Sequence, residues 1–194
     1  MRYRAMRFGI PVSILVLGFG FAAYAQEPNL HDFKAYLAPA VGSPERAIDK
    51  MLELANPKPG EVLYDLGCGD GRILIAAAER YKVKGVGVEL SKRLAETAVE
   101  NVKKHRLQDE IKIIHGNFLQ TDLSPANVVT LYLATTANDT LRPNFERYLR
   151  PNTRVVSYDY PIPGWKPIET SETEGHQGAV HTIYLYEVPN SIKK

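Results

Sequence analysis

The sequence has very little cysteine, and its histidines are scattered, which together exclude several kinds of site. Its 194 residues contain one cysteine, Cys68, so neither an internal disulfide framework nor a site built from several thiolates can organise the fold. The five histidines show no ligand spacing such as His-x-x-x-His, and we expect no metal. With 44% hydrophobic and 24% charged residues, the chain is neither disordered nor a multi-span membrane protein.

Large basic clusters are also missing. The formal net charge is +2, but three of the 24 basic residues lie in the first 25 positions, and the remainder holds 21 basic against 22 acidic residues, or −1. The largest basic run in that remainder is Lys103-Lys-His-Arg106, at the end of a predicted helix, where cations complement the helix dipole. We therefore expect a small-molecule or protein partner and no nucleic acid. We also expect a monomer.

The N-terminal segment carries the one long apolar run. Three arginines precede an uncharged stretch of 18 residues, Phe8 to Ala25, which ends in Ala23-Tyr24-Ala25. A basic start, an apolar middle and a small-x-small end are the parts of a signal peptide, and a stretch of this length could also just span a bilayer. We interpret residues 1–25 as a signal peptide or an N-terminal membrane anchor, so that the domain is exported or anchored across the membrane.

The rest of the chain predicts one α/β domain over residues 43–194, preceded by a lead-in arm at 26–42. Ser43-Pro44 begins a helix, with the serine as cap, that ends near Asn56-Pro57. The segments that follow alternate between strand and helix patterns, which favours a mostly parallel sheet with helices on both faces. Strands are predicted at Val62–Leu66, Lys84–Leu90, Ile111–His115, Val128–Leu133 and Thr153–Tyr158, and helices at Arg72–Tyr81, Lys92–Arg106 and Leu141–Leu149.

The C-terminal part predicts an antiparallel strand pair that closes the sheet. Trp165–Glu169 and Val180–Val188 have strand patterns, and the polar segment Thr170–Gly178 between them is interpreted as a loop. Pro167 lacks a backbone donor, which places the first of these strands at the edge. The second is apolar or aromatic on both faces, which places it inside the sheet.

The most informative segment is a glycine-rich turn between the first strand and the helix after it. Gly67, Gly69 and Gly71 alternate there, and glycine allows positive φ angles and close approach of a ligand to the backbone. Glu89 ends the next strand, 22 residues after Gly67, where a carboxylate can accept both ribose hydroxyls of a nucleoside. The pattern therefore predicts a nucleoside-containing ligand.

Charge separates two such ligands, NAD and S-adenosylmethionine. Asp65 precedes the glycines and Asp70 lies between them, and acidic groups repel a pyrophosphate but suit an ammonium and a sulfonium. The dinucleotide fingerprint also requires a glycine three positions after Gly69, where this chain has Arg72. The residues favour S-adenosylmethionine, with NAD and a merely connecting turn as the alternatives.

Three motifs resemble those of the class I, seven-strand S-adenosylmethionine-dependent methyltransferases: Asp65-Leu-Gly-Cys-Gly-Asp-Gly71, Glu89 and Gly116-Asn-Phe118. The resemblance covers roughly residues 43–188. It implies a Rossmann-like, mostly parallel seven-stranded sheet with helices on both faces and a C-terminal antiparallel pair. The cofactor-binding residues it implies are Asp65, Gly67, Cys68 and Gly69 around the methionine portion, Glu89 at the ribose, and Asn117 with Phe118 at the adenine. For the last pair, a turn residue and a core residue are the alternative.

A closer resemblance concerns the acceptor. Ser43-Pro-Glu-Arg46, Lys58-Pro-Gly60, Leu141-Arg-Pro143 and Pro161-Ile-Pro-Gly-Trp165 are similar to segments of the small membrane-associated protein-lysine methyltransferases that act on the adenine nucleotide translocase and the ATP synthase c-subunit, and of their bacterial relatives. The resemblance implies methyl transfer to a protein lysine, with membrane-associated proteins among the expected substrates. It ends before Ser43, so a small-molecule methyltransferase and a non-catalytic S-adenosylmethionine-binding module remain alternatives.

The end of the fourth strand is where the acceptor should meet the methyl group. Tyr132 and Thr135 are candidates for orienting it, with a packed aromatic and a helix cap as the respective alternatives. Methyltransferases that act on adenine amines usually have an Asp/Asn-Pro-Pro-aromatic turn at this place, whereas this chain has Ala134-Thr135-Thr136. Either a substrate rim or simple packing is predicted for Tyr158, Tyr160, Pro161, Pro163 and Trp165.

Overall fold

The computed structural model describes residues 42–175 and 178–192, so the predicted signal or anchor at 1–25 and nearly all of the lead-in arm lie outside the described residues. The helices in this part are α1 Glu45–Ala55, α2 Arg72–Tyr81, α3 Lys92–Lys104 and α4 Thr135–Tyr148, with a short 3₁₀ turn at Phe118–Gln120. The strands are β1 Val62–Leu66, β2 Lys84–Glu89, β3 Ile111–His115, β4 Val128–Leu131, β5 Arg154–Tyr158, β6 Glu169–Glu174 and β7 Val180–Glu187. None of the helices within these ranges is both long enough and apolar enough to cross a bilayer.

The seven strands form one sheet in the order β3-β2-β1-β4-β5-β7-β6. The first five are parallel, and β7 runs antiparallel to both β5 and β6. The chain therefore has the predicted Rossmann-like α/β fold with an antiparallel C-terminal pair. Because β1, β2, β4 and β5 are parallel neighbours, their carboxyl ends meet at a single edge, and the strand order reverses between β1 and β4.

Two apolar layers cover the faces of the sheet. One contains the buried residues of α1 and α2, including Met51, Leu52 and Leu74. The other contains the buried face of α4, with Leu141 and Phe145. Helices therefore pack on both faces, as the alternating pattern predicts, and the carboxyl edge is left for the turns that follow the strands.

The predicted bounds of the sixth strand are wrong, whereas its predicted position at the edge of the sheet is confirmed. β6 spans Glu169–Glu174, most of which lies in the segment interpreted as a loop, while Trp165 is buried and makes an isolated bridge to Ile192. This strand lies at the edge and is largely exposed, so its glutamates and threonines face water while its backbone pairs with β7. Hydrophobic patterning cannot identify such a strand. β7 lies inside the sheet, as predicted.

Two helix starts also differ from prediction. α4 begins at Thr135, directly after β4, and not at Leu141, and it continues through Pro143. At α1 the N-cap residue is Pro44, without a side-chain capping bond, while the Ser43 carbonyl accepts a hydrogen bond from Arg72 at 3.2 Å. The first difference affects the site, because it places the first turn of α4 at the carboxyl edge of β4.

Candidate functional site

The glycine turn after β1 has the predicted conformation. Gly67, Gly69 and Gly71 have φ angles of 79°, 56° and 82°, in the region that favours glycine. The amides of Gly67 and Cys68 both donate to the Val88 carbonyl, at 2.8 and 3.2 Å, which fixes the turn against β2. A Cβ built on Gly69 would meet no atom within 4 Å. The turn therefore leaves open space beside the backbone of Gly69.

Asp65 ends β1 beneath this turn and is buried. Its Oδ1 accepts a hydrogen bond from the Thr130 hydroxyl at 2.7 Å, while its Oδ2 is buried without a partner among the described residues. Burial raises the pKa of the carboxyl to about 7, against the lowering effect of the Thr130 bond. An unpaired buried carboxylate oxygen is costly unless a cation meets it. The ammonium and sulfonium of S-adenosylmethionine would supply that cation.

Glu89 lies beside Asp65 at the end of β2. Its Oε2 accepts a hydrogen bond from the Gly69 amide at 2.9 Å, and its Oε1 accepts one from the Ser91 amide at 2.8 Å. The buried carboxylate thus connects the glycine turn to the start of α3. Each carboxylate oxygen has a further lone pair, so Glu89 can still accept the two ribose hydroxyls predicted for it.

Asp70, whose carboxylate is expected from the sequence to favour a cationic donor, is paired with a neighbouring arginine. Its carboxylate accepts hydrogen bonds from Nε and Nη2 of Arg72, the latter at 2.7 Å, and Arg72 lowers its pKa. The charge of Asp70 is therefore compensated within the turn. Preference for a cationic donor over a pyrophosphate rests on Asp65 and Glu89 alone.

The remaining predicted cofactor residues serve mainly to build the turns. The Cys68 thiol is buried, its pKa is raised by burial, and a Cβ on Gly87 would lie 2.7 Å from its sulfur. Cys68 therefore contributes its backbone to the turn and its side chain to the core. Asn117 caps the 3₁₀ turn by accepting the Leu119 amide at 2.9 Å, and Phe118 is buried in the core. Contact of Asn117 and Phe118 with adenine stays a prediction.

The predicted acceptor residues lie at the carboxyl edge of β4. Tyr132 is half-buried, and its ring centroid lies 4.6 Å from that of Tyr158 and 6.3 Å from that of Tyr160. Burial raises the pKa of the Tyr132 hydroxyl. Thr135 is exposed as the first residue of α4 and makes no capping bond there. Tyr132 thus joins an aromatic cluster with two of the predicted rim residues.

Asn138 and Trp165 determine how the rest of that rim is arranged. Asn138, fully buried in α4, donates to the Tyr160 carbonyl at 3.0 Å and holds the turn that follows β5. Trp165 is buried and packs on Phe145, with ring centroids 5.9 Å apart. Trp165 therefore belongs to the core, whereas a place for the half-buried Tyr160 in a substrate rim stays a prediction.

The sequence did not indicate one close pair at this edge, a histidine beside a carboxylate. Nδ1 of His181, near the start of β7, lies 2.9 Å from Oδ1 of Asp159, which directly follows β5. The spacing of the histidines along the chain bears only on metal binding, so it does not indicate a histidine–carboxylate pair. Within residues 42–175 and 178–192 no three His, Cys, Asp or Glu side chains converge as a metal would need, and His176 lies outside these ranges. Only the antiparallel pairing of β5 with β7 could have brought His181 and Asp159 together.

Known proteins resemble this chain in both sequence and fold. Residues 65–169 match the model of the ANTKMT methyltransferase domain. A protein-lysine N-methyltransferase from Saccharolobus islandicus is 43% identical over 152 residues, covering 77% of this chain and 93% of that protein. The adenine nucleotide translocase lysine N-methyltransferase of Mus musculus is 28% identical over 67% of this chain and 56% of its own length. A crystal structure described as an RNA methyltransferase from Salinibacter ruber in complex with S-adenosyl-L-homocysteine is 40% identical, with a TM-score of 0.74, over 79% of this chain and 97% of that one.

Proposed function

The chain belongs to the ANTKMT methyltransferase domain family of S-adenosylmethionine-dependent enzymes, and on that premise we propose that its methyl acceptor is a lysine amine of a protein. The observation that carries this proposal is the 43% identity to a protein-lysine N-methyltransferase over nearly the whole length of that relative. The bound cofactor would supply an activated methyl group. The protein has to bind the acceptor, align its nitrogen and exclude water.

The charges near the acceptor edge support a cationic substrate. Strand β6 carries three exposed glutamates, of which Glu172 pairs with Thr182 near the carboxyl end of β5, while Glu174 is paired with Arg46. Asp159 adds a carboxylate at the end of β5. A lysine side chain is attracted to such an edge, whereas the phosphates of a nucleic acid are repelled by it.

RNA is the second candidate acceptor, because the 40% identical Salinibacter ruber protein is described as an RNA methyltransferase. An RNA-binding protein is expected to present a basic surface to the phosphates. Outside its first 25 residues this chain has a formal charge of −1, and the edge beside the aromatic cluster is acidic. Both features favour the lysine proposal over RNA.

We also propose that residues 1–25 direct the domain to a membrane, as a cleaved signal or as an anchor, so that the acceptor is a protein in or beside that membrane. The basic start, the apolar run and the small-x-small end support this assignment. Export would separate the domain from its methyl donor, which is made in the cytoplasm. Cell fractionation together with N-terminal sequencing of the mature protein tests the assignment, and a cytosolic protein that begins at Met1 would contradict it.

The acceptor class can be tested with the full chain and a donor labelled on its methyl group. Parallel reactions receive a membrane protein fraction, poly-L-lysine, total RNA or a small-molecule extract. We expect label in protein and in poly-L-lysine, recovered as methyllysine after acid hydrolysis. Label in RNA or in a small molecule would replace the proposed acceptor, and donor binding without transfer would identify a non-catalytic module. Gly69→Val serves as the donor-excluding control, because its side chain fills the open space beside the turn.

A further inference from the structure

The pair formed by Asp159 and His181 fixes which nitrogen of the imidazole can accept a proton. Nδ1 of His181 lies 2.9 Å from a carboxylate oxygen of Asp159, and a carboxylate can only accept a hydrogen bond. Nδ1 therefore carries the hydrogen, and in the neutral ring Nε2 has the free lone pair. The His181 side chain retains 20% exposure.

Asp159 is held in position for this contact by its backbone. Its φ of 68° is in the left-handed region, which is uncommon for residues other than glycine. Its amide donates to the Thr182 carbonyl at 2.8 Å, next to His181 in the chain. Aspartate adopts this region more often than most residues do, and the bond to Thr182 fixes the turn that presents its carboxylate.

A second polar group, the Tyr158 hydroxyl, lies beside His181. The backbone of Gly175 packs against both: a Cβ built on it would lie 2.1 Å from Cδ2 and 2.5 Å from Nε2 of His181, and 2.6 Å from the hydroxyl oxygen of Tyr158, so only a glycine fits there. The Tyr158 hydroxyl is buried without a hydrogen-bond partner in the described part of the chain. Burial raises its pKa to about 12, so the hydroxyl is neutral and can accept or donate a hydrogen bond.

These groups lie on the side of the donor pocket from which an acceptor would come. Asp65 ends β1, Tyr132 follows β4, Tyr158 ends β5 and His181 lies near the start of β7. The four strands are consecutive neighbours in the sheet, each about 4.8 Å from the next. The Tyr158 ring contacts both Tyr132 and His181, because its centroid lies 4.6 Å from that of Tyr132 and 5.4 Å from that of His181.

We propose that Nε2 of His181, oriented by Asp159, takes the proton from the incoming lysine ammonium beside the Tyr158 hydroxyl. This inference rests on the proposed lysine acceptor. The ammonium loses one proton to the imidazole and becomes a neutral amine. Its lone pair then forms the N–C bond while the bond from the methyl carbon to the donor sulfur breaks, and that electron pair stays on the sulfur, which becomes neutral. His181 is then a catalytic residue, and Asp159 is a positioning residue.

Other charged and titratable groups surround His181. Asp159 contacts its ring directly, and Tyr158 and Tyr132 lie on β5 and after β4. On β6, Thr173 pairs with His181, and the charged residues on either side of it are Glu172 and Glu174. Glu174 is paired with Arg46 of α1, and Asp159 is the carboxylate in direct contact with the imidazole.

The test compares His181→Gln with His105→Gln in the full-length protein, using poly-L-lysine as acceptor. His105 is a matched control, because its Nδ1 also contacts a carboxylate, Glu79 at 2.8 Å, on an exposed surface away from the site. We expect His181→Gln to lower kcat about a hundredfold, the scale of general base catalysis, without changing the dissociation constant for S-adenosylhomocysteine. His105→Gln should match the wild type. Asp159→Asn should lower kcat and leave the same dissociation constant unchanged.

Two further measurements separate a chemical role from a structural one. Added imidazole should restore turnover to His181→Ala, which it could not do for a misfolded variant. In the ligand-free protein, n-butylammonium should shift the ring resonances of His181 and leave those of His105 unchanged. If the wild type labels no lysine, the proposed function fails and this inference fails with it. If the wild type labels lysine and His181→Gln is equally active, or if n-butylammonium leaves the His181 resonances unmoved, only the proton-acceptor role is overturned.

Discussion

The buried Asp65 carboxyl makes donor binding depend on pH in a way that can be calculated. Its pKa is raised to about 7 by burial, and its Oδ2 has no partner in the described residues. Below pH 7 the ligand-free protein therefore holds a proton at Asp65. A cationic donor favours the ionised form, so binding at lower pH has to release that proton.

The expected effect follows from this linkage. Each pH unit below the pKa weakens binding tenfold, or about 1.4 kcal/mol, and above pH 7 the affinity levels off. Between pH 7.5 and 5.5 the affinity for S-adenosylmethionine should fall about 25-fold. The donor's own ammonium, an α-amino group, remains protonated in the acidic part of this range, so the loss is assigned to the protein.

Isothermal titration calorimetry at several pH values, in buffers of different ionisation enthalpy, measures both the affinity and the protons released. Asp65→Asn should bind more weakly at pH 7.5 and lose the pH dependence. Asp70→Asn is the control from the same turn, because Arg72 keeps the pKa of Asp70 low and this carboxylate is ionised throughout. A wild-type affinity that is constant from pH 5.5 to 7.5, or an Asp65→Asn variant with the wild-type slope, would refute the reasoning.

Three further predictions concern the residues of the donor site. Glu89→Ala removes the carboxylate that receives the Gly69 and Ser91 amides and the predicted ribose hydroxyls, and calorimetry should show donor binding weakened by about 1.5–3 kcal/mol; unchanged affinity would contradict the ribose assignment. Gly69→Val should abolish donor binding. Gly60→Val is its control, because Gly60 also has a positive φ and no neighbour within 4 Å but precedes β1. This control should carry the same backbone strain and still bind the donor. In the folded protein the pKa of Asp65 is raised from 3.8 to about 7, so the wild type loses stability as the pH rises through that interval. Asp65→Asn should therefore stabilise the ligand-free protein at pH 8 by up to about 4 kcal/mol, measured by thermal denaturation. That advantage should shrink towards pH 4, and an advantage independent of pH would argue against the raised pKa.

The parallel half of the fold was predictable because its signals are local. Val62–Leu66 and Arg72–Tyr81 have the predicted bounds, since the apolar runs and the glycine turn between them specify each element within a few residues. β6 was not predictable in this way. Its strand conformation comes from pairing with β7 and not from a buried face of its own, so Glu169–Glu174 has the composition of a loop.

The same distinction separates the two halves of the active site. Asp65, the glycine turn and Glu89 lie in two neighbouring strands with the turns that follow them, and their spacing along the chain was enough to predict a donor pocket. The acceptor side depends on β7 entering the sheet between β5 and β6, which places His181 beside Asp159 through the pairing of Tyr158 with Ile183. Successive residues of a strand point to opposite faces, so a shift of one position in that pairing would turn His181 away from Asp159. The proposed pair of His181 and Asp159 therefore depends on the register of one antiparallel strand, which no local motif records.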